Sequence, residues 1–307
     1  MLVTKSSAVA LYTVDENDAW TPGQTLCTVP GGSFFFGAVH RGGIVYASQA
    51  AGADAATGLI RMCDLSGNSL GSLPEVPTRC DGLVITPGGE YLFTSCGAGN
   101  ATTCPTMGSV WRYSFAAGTW EQFATGLGSC LRNVEVDNDG HVYVATRTGN
   151  TIKVFDWNTS SENLPAAPVR TLTGTTFVSG LYLNNSDGYL YWSGRNGDYG
   201  RMKPDGTDAT TVTGGDYTGW TYCVCFVNGK SYMGSANVTA AAWRYDMANN
   251  FTQIFDFYTF GLSEVKVSPS QSWRLDEAAN SAALACAGAE NRPVWPAGGA
   301  RGAAPRA

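Results

Sequence analysis

Charged side chains are scarce in this sequence: they make up 14% of the 307 residues, well below the roughly one quarter of an average soluble domain. Lys and Arg number 19 against 25 Asp and Glu, so the formal net charge is −6. A nucleic-acid surface needs clustered positive charge, which this balance disfavours. No apolar run approaches the roughly 18 residues of a membrane-spanning helix. The sequence therefore predicts neither a nucleic-acid partner nor a transmembrane segment.

Signals of catalysis are also few. The chain has only two histidines, and no glycine-rich phosphate-binding loop follows a strand and opens a helix. Gly67–Gly71 matches the Gly-x-Ser-x-Gly nucleophile pattern, but it falls in a predicted turn between strands. The nucleophile elbow needs a turn from a strand into a helix. The sequence therefore assigns no catalytic residue, and it leaves open whether the protein is an enzyme.

A repeated strand pattern is the most informative feature that is present. Five short segments repeat one strand pattern around a central aromatic, and these aromatics are spaced by 47, 50, 48 and 41 residues. The five central aromatics are Tyr46, Phe93, Tyr143, Tyr191 and Tyr232. A period in the forties, with Gly, Asn and Asp turns inside each unit, is typical of β-propeller blades. We therefore predict an all-β fold, a six-bladed β-propeller.

The two chain ends are predicted to share the last blade. Leu262–Ser268 and Ser270–Asp276 supply its first two strands, and the segments 8–15 and 24–29 supply its third and fourth. Sharing a blade in this way removes two open sheet edges. Residues 1–277 then form one propeller domain. Five blades with a cap, or seven blades, remain alternatives.

The last thirty residues lack this pattern. Residues 278–307 are rich in Ala, Gly, Pro and Arg and have no strand periodicity, so we predict a disordered or loosely docked tail. A short helix near the start of that tail is the alternative.

Nine cysteines suggest an oxidising compartment. Cys96 and Cys104 flank a loop between two strands of one blade, which predicts a local disulfide. Cys80 and Cys130 precede the inner strands of neighbouring blades, so a second bridge between them is possible.

The glycosylation sequons favour a secretory route only mildly. Five are present, and no charged-then-apolar leader precedes the first predicted strand. Either a leader has been removed or the protein is not secreted, and of these we expect a secreted or lumenal protein. The sequons begin at Asn100, Asn158, Asn184, Asn237 and Asn250.

Candidate binding residues cluster where the inner strands begin. In a propeller these positions surround one end of the central channel, where ligand sites collect. Arginines on adjacent blades could hold a carboxylate or a phosphate by forked hydrogen bonds. The predicted ligand-binding residues are Arg132, Arg147, Ser179, Arg195 and Tyr222.

A divalent-cation site is predicted beside them. Asp81, Asn133 and Glu264 supply oxygen atoms from three blades and form a predicted site for Ca²⁺ or another divalent cation. Solvated loop residues that pair with one another are the alternative interpretation.

Three segments resemble blades of NHL-repeat and SMP-30/gluconolactonase-like propellers. They are 80–94, 132–145 and 179–191. Separately, Leu190–Gly194 with Arg201–Thr207 is similar to a YWTD blade of lipoprotein-receptor propellers. Both resemblances imply a six-bladed propeller.

The lactonase-like resemblance also implies a divalent metal at the channel mouth. In that family one Glu, two Asn and one Asp hold the metal, and Glu264, Asn133 and Asp81 match three of these ligands in residue type. Ser179 occupies the fourth position, where Asn is expected, and the order of ligands around the ring differs from the family's order.

Two functions follow from these observations. The first is a non-catalytic binding or scaffold module that presents its channel-mouth loops to a protein, a glycan or a small anionic ligand. The alternative is a divalent-metal-dependent lactonase or esterase of the SMP-30/gluconolactonase type. A calcium-induced rise in melting temperature that depends on Glu264 and Asp81 would separate them.

Overall fold

A computed structural model describes the greater part of the chain. The backbone is described for residues 2–5, 8–14, 20–29, 33–51, 58–77, 79–97, 108–128, 131–185, 187–194, 198–213, 221–227, 230–235, 241–245, 257–259 and 265–267. Beyond residue 213 only backbone positions are discussed. The predicted tail 278–307 lies outside the described residues.

The described strands form six four-stranded antiparallel sheets, which we number as blades along the chain. Blade 1 comprises β4 (Ser33–Arg41), β5 (Ile44–Ala51), β6 (Leu59–Asp64) and β7 (Ser69–Ser72). Blade 2 comprises β8 (Cys80–Ile85), β9 (Tyr91–Cys96), β10 (Ser109–Ser114) and β11 (Thr119–Ala124). Blade 3 comprises β12 (Leu131–Val136), β13 (His141–Thr146), β14 (Thr151–Asp156) and β15 (Arg170–Leu172).

The remaining blades follow the same order, from an inner strand outward. Blade 4 comprises β16 (Gly180–Asn184), β17 (Tyr189–Ser193), β18 (Tyr199–Met202) and β19 (Thr210–Val212). Blade 5 comprises β20 (Thr221–Val227), β21 (Lys230–Ser235), β22 (Ala241–Tyr245) and β23 (Phe257–Thr259). The closing blade comprises β24 (Val265–Val267), β1 (Leu2–Lys5), β2 (Ala8–Val14) and β3 (Trp20–Thr28).

The inner strands contact one another in ring order. β4, β8, β12, β16 and β20 follow in sequence, and β24 contacts both β20 and β4, which closes the ring. The six-bladed propeller is therefore confirmed. We call the end at which the inner strands begin the mouth, and the other end the opposite face. Because each blade is a simple antiparallel meander, the second strand ends at the mouth and the turn between the third and fourth strands lies on the opposite face.

Both chain ends do build the closing blade, but the share of each end differs from the prediction. Only β24 comes from the C-terminal end, and Val3 of β1 pairs with Val267. β1 then pairs with β2, with Lys5 opposite Ala8. The assignment of Ser270–Asp276 as the second strand was therefore wrong, because a four-residue N-terminal strand already occupies that place. So short a strand carries too few alternating residues to show a pattern of its own.

Apolar side chains fill the space between neighbouring blades. Phe93 and Phe123 of blade 2 are fully buried against Phe155 of blade 3, and the ring pairs meet edge to face. Trp192 of blade 4 is fully buried against the side of blade 3 that faces away from blade 2. Blade 3 is therefore buried on both faces, which holds its inner strand rigidly at the channel.

The repeated tyrosines bind acidic residues in the turns of the opposite face. The Tyr143 hydroxyl donates to Asp137 at 2.8 Å, and the Tyr191 hydroxyl donates to Asp187 at 2.6 Å. Burial, followed by the neighbouring carboxylate, raises the pKa of both tyrosines well above the usual value, so both remain proton donors. In blades 3 and 4 these bonds therefore join the second strand to the turn that precedes it.

Among the described residues, no helix is long and apolar enough to cross a membrane.

Candidate functional site

β-bulges interrupt the inner strands of the first three blades near the mouth. In β8 the register shifts between Cys80 and Leu83, so two residues, Asp81 and Gly82, lie opposite the single residue Ser95. Equivalent shifts occur in β4 and β12. A bulge re-aims the side chains of the strand that carries it. The residues predicted to line the mouth therefore lie in irregular backbone that departs from an ideal ladder.

Serine hydroxyls of the second strands satisfy the bulges of blades 1 and 2, while Ala145 lies opposite the bulge of blade 3. The Gly82 amide donates to Ser95 Oγ at 3.1 Å, and the Gly37 amide donates to Ser48 Oγ at 2.9 Å. Ser48 Oγ in turn donates to the Asp81 carbonyl at 2.7 Å, so it also joins blade 1 to blade 2. Both hydroxyls are fully buried. They replace the ladder bonds that a bulge removes from the sheet.

A glycine allows two inner strands to approach closely at the same place. A Cβ atom on Gly82 would lie 2.8 Å from the Asn133 Cα atom and 2.9 Å from the Arg132 carbonyl oxygen. Both are backbone atoms, so no side-chain rotation relieves the contact. Blade 2 and blade 3 can therefore meet at the mouth only if this position carries no side chain.

An acidic side chain at the bulge of blade 2 holds two arginines. Asp81 Oδ1 accepts from Arg79 Nε at 3.0 Å, and Asp81 Oδ2 accepts from Arg132 Nη1. All three side chains are at least 95% buried. Asp81 and Arg132 occupy equivalent bulge positions in adjacent blades, so their ion pair crosses the interface between the blades. Ion pairs buried to this degree need such multiple hydrogen bonds to offset the loss of hydration.

Arg147 adds a third buried guanidinium to the mouth. It directly follows β13 and opens a short 3-10 turn, Arg147–Gly149, and only 2% of its surface is exposed. Leu131 and Thr146 are cross-strand partners, so Arg132 and Arg147 each lie one residue from the same pair. The mouth also carries Asp198, which is 9% exposed.

The distribution of charge changes with depth in the channel. Among the described residues, the buried charged groups at the mouth are three arginines and two aspartates, a formal charge of +1. Glu135 is also buried but lies three residues further along β12, where it accepts from the Val136 amide at 3.0 Å. The mouth therefore has a small excess of positive charge, and an acidic group lies deeper.

The predicted divalent-metal site stays a prediction, because Glu264 lies outside the described residues. The other two of its three ligands are described. Asp81 binds two guanidiniums, and Asn133 Oδ1 accepts from the Val134 amide at 2.7 Å. Across the described part of the chain, no group of three His, Cys, Asp or Glu side chains is arranged to hold a metal ion. Two positive charges against one carboxylate also disfavour a cation at that carboxylate.

The other predicted binding residues are placed unevenly. Ser179 directly precedes β16 at the mouth and is 1% exposed, with its hydroxyl donating to the Phe177 carbonyl at 3.1 Å. Tyr222 lies in β20 at a register shift, and only its backbone is described. Arg195 lies outside the described residues. The mouth therefore brings together Asp81, Arg132, Asn133, Arg147 and Ser179 of the predicted set.

The structure pairs the cysteines differently from the prediction. Cys80 bonds to Cys96, and Cys27 bonds to Cys63. The predicted Cys96–Cys104 and Cys80–Cys130 bridges were therefore wrong. Cys80 and Cys96 are direct cross-strand partners in β8 and β9, with Cα atoms 4.1 Å apart, so no loop has to close between them. Residues 104 and 130 lie outside the described residues.

Sequence reasoning missed three parts of this site: Arg79, the bulges, and the serines that satisfy them. A signal for the serines was available, since a serine follows the central aromatic by two residues in Tyr46-Ala47-Ser48, Phe93-Thr94-Ser95 and Tyr191-Trp192-Ser193. Arg79 gave no signal, because it lies in a connection that carries no repeat.

Comparisons with known proteins establish the fold alone. The sequence matches no protein-family model and no curated protein sequence. A chain in the crystal structure of a nidogen/laminin complex superposes with a TM-score of 0.65 at 10% sequence identity. The match covers 86% of this chain and 95% of that one. The resemblances to NHL-repeat, SMP-30/gluconolactonase-like and YWTD blades stay predictions.

Proposed function

We propose that the protein is a non-catalytic binding module that holds a protein partner by an acidic side chain at the mouth of its channel. The observation that carries this proposal is the cluster of Arg79, Asp81 and Arg132, with Arg147 beside it. Its two guanidiniums already bind the carboxylate of Asp81, and forked guanidinium donors suit a carboxylate of a partner in the same way. The superposed chain belongs to a nidogen/laminin complex, and its place in that complex supports a protein as the partner here.

A histidine–carboxylate pair of the described residues lies away from the mouth. His141 binds Asp137 through Nδ1 at 2.8 Å, but both lie on the opposite face. A nucleophile, a base and an orienting acid must lie within hydrogen-bond reach of one another. In the described part of the channel, Asp81 binds two arginines and Glu135 accepts from a backbone amide.

Small carboxylates test this proposal directly. We expect succinate to raise the melting temperature and its neutral analogue succinamide to leave it unchanged at matched ionic strength, because a ligand that binds only the native state stabilises it. The Arg147→Gln variant should lose the response, and Arg147→Lys should keep part of it. Lys153→Gln is the matched control, since Lys153 lies on β14 and bonds Thr171 at the blade surface.

Two results would contradict the proposal. One is an equal response to succinate and succinamide, which would show that binding does not depend on the negative charge of the ligand. The other is an unchanged succinate response in Arg147→Gln, which would place the anion away from the mouth.

The metal-dependent lactonase or esterase is the second candidate. The resemblance of segments 80–94 and 132–145 supports it, and the two arginines on Asp81 argue against it. A melting-temperature rise with Ca²⁺ or Mn²⁺ that is lost in Glu264→Ala would favour it over the binding module. If neither ion shifts the transition and no lactone is hydrolysed, this candidate is excluded.

We also propose that the protein is secreted or lumenal. Cys27–Cys63 and Cys80–Cys96 support this location, because disulfides persist chiefly in oxidising compartments.

A further inference from the structure

Phe177 is an exposed aromatic residue at the mouth. It lies in the connection between β15 and β16, and 38% of its surface is accessible. Three other large apolar side chains are comparably exposed in the described part of the chain: Leu65, Leu70 and Val169. All three lie near turns between the third and fourth strands, which are on the opposite face. Phe177 thus differs from them by its position beside the candidate site.

The backbone of Phe177 adopts a conformation that bulky residues avoid. Its φ is +45°, in the left-handed region. Only three non-glycine residues of the described chain have positive φ, and the other two, Asn150 and Asp208, are of types that tolerate it. Strain of this kind persists only where surrounding contacts enforce it, and it concentrates at functional sites.

Two hydrogen bonds hold this segment against the turn that begins at Arg147, and a third lies within the segment. The Phe177 amide donates to Asn150 Oδ1 at 2.8 Å, and the Thr175 hydroxyl donates to the Asn150 carbonyl at 2.6 Å. Ser179 Oγ donates to the Phe177 carbonyl at 3.1 Å. Asn150 itself ends the 3-10 turn, with its amide directed to the Arg147 carbonyl. The aromatic ring and the buried guanidinium are therefore carried by segments in direct contact.

We infer that Phe177 is the apolar anchor of the mouth and binds an apolar side chain that adjoins the acidic residue of the partner. The inference rests on the proposed function. It adds that the partner carries an apolar residue such as leucine next to its Asp or Glu. Charge complementarity selects this occupant, because Phe177 is bonded to the turn that the cationic Arg147 opens. Aromatic residues beside arginines commonly dominate the energy of such interfaces.

Short peptides separate the two contacts. The probe is acetyl-Gly-Asp-Leu-Gly-amide, and its affinity is measured by calorimetry against peptides in which Asp becomes Asn or Leu becomes Gly. With the wild-type protein, we expect either change to weaken binding by about tenfold or more. The Phe177→Asn variant should bind the leucine and glycine peptides equally, while it still requires Asp. Val169→Asn, an exposed apolar residue of the opposite face, should behave as wild type.

Thermal unfolding of the free variants supplies a measurement that does not depend on the peptides. Asparagine tolerates a positive φ, so the melting temperature of Phe177→Asn should equal or exceed that of the wild-type protein. A clear decrease would show that the ring supports the fold, and it would overturn the inference.

The peptide outcomes distinguish this inference from the proposed function. If the wild-type protein binds the leucine and glycine peptides equally but still requires Asp, the anchor is refuted and the proposed function stands. If Asp and Asn peptides bind equally, or if no peptide binds, the proposed function fails and the inference fails with it.

Discussion

Blade 2 and blade 4 begin at the mouth with the same kind of sequence but form different structures. Leu83 pairs with Thr94 in blade 2, and Leu181 pairs with Trp192 in blade 4, so the two inner strands can be aligned. The residues before these leucines form a bulge in β8, whereas β16 keeps a regular ladder. The second strands of both blades then reach a buried serine two residues after the central aromatic.

The two serines have different environments as a result. Ser95 Oγ accepts from the bulge amide of Gly82, whereas Ser193 Oγ is buried without a hydrogen-bond partner among the described residues. In β16 the Gly180 backbone pairs directly with Ser193, so no bulge amide is directed at the hydroxyl. The comparison shows that the serine hydroxyl binds the bulge amide in blade 2, whereas the regular ladder of blade 4 directs no such amide at it. It also shows that the ring departs from its own repeat next to the candidate site.

The largest expected effect comes from breaking the ion pairs of the bulged region. Asp81→Asn keeps the shape of the side chain but leaves two buried guanidiniums without their carboxylate, so we expect a loss of about 3–5 kcal/mol in the free energy of unfolding. Urea denaturation measures this loss. Asp205→Asn, at an exposed turn of blade 4, is the matched control and should have a much smaller effect. A loss for Asp81→Asn no greater than that control would show that the arginines are satisfied without Asp81.

The next effect tests the close approach of two inner strands. Gly82→Ala places a Cβ atom against the backbone of blade 3, so we expect destabilisation of about 1–3 kcal/mol, the usual cost of overpacking. Gly149→Ala is the control, because its nearest neighbours are the hydroxyls of Thr146 and Thr151, which can rotate away. Equal stability of the two variants would mean that blades 2 and 3 can separate at the mouth without cost.

Much of the fold could be predicted from the sequence, because strand alternation and a period in the forties are local signals. Tyr143 and Tyr191 marked the second strands correctly, and the blade count followed from their spacing. The closing blade was only half predicted, since the four residues Leu2–Lys5 are too few to show a period.

The candidate site was less predictable, because its geometry depends on contacts between blades. Arg132, Arg147 and Asp81 were identified from their positions at strand ends, and the structure places them at the mouth. The binding of Asp81 to two arginines could not be predicted, since Arg79 lies outside the repeat and Arg132 belongs to the next blade. The cysteine pairing failed for a related reason: loop length suggested Cys104, whereas strand register selects Cys80.

The smallest effect tests the difference between the serines themselves. Ser95→Ala leaves the buried Gly82 amide without its acceptor, and we expect a loss of about 1–2 kcal/mol. Ser193→Ala removes a buried hydroxyl that has no partner in the described part of the chain, so unfolding should require the same free energy or slightly more. Parallel urea titrations of the two variants measure the difference. If Ser193→Ala lost as much stability as Ser95→Ala, its hydroxyl would have a structural role equal to that in the bulged blade. The contrast between the two blades would then be one of backbone geometry alone.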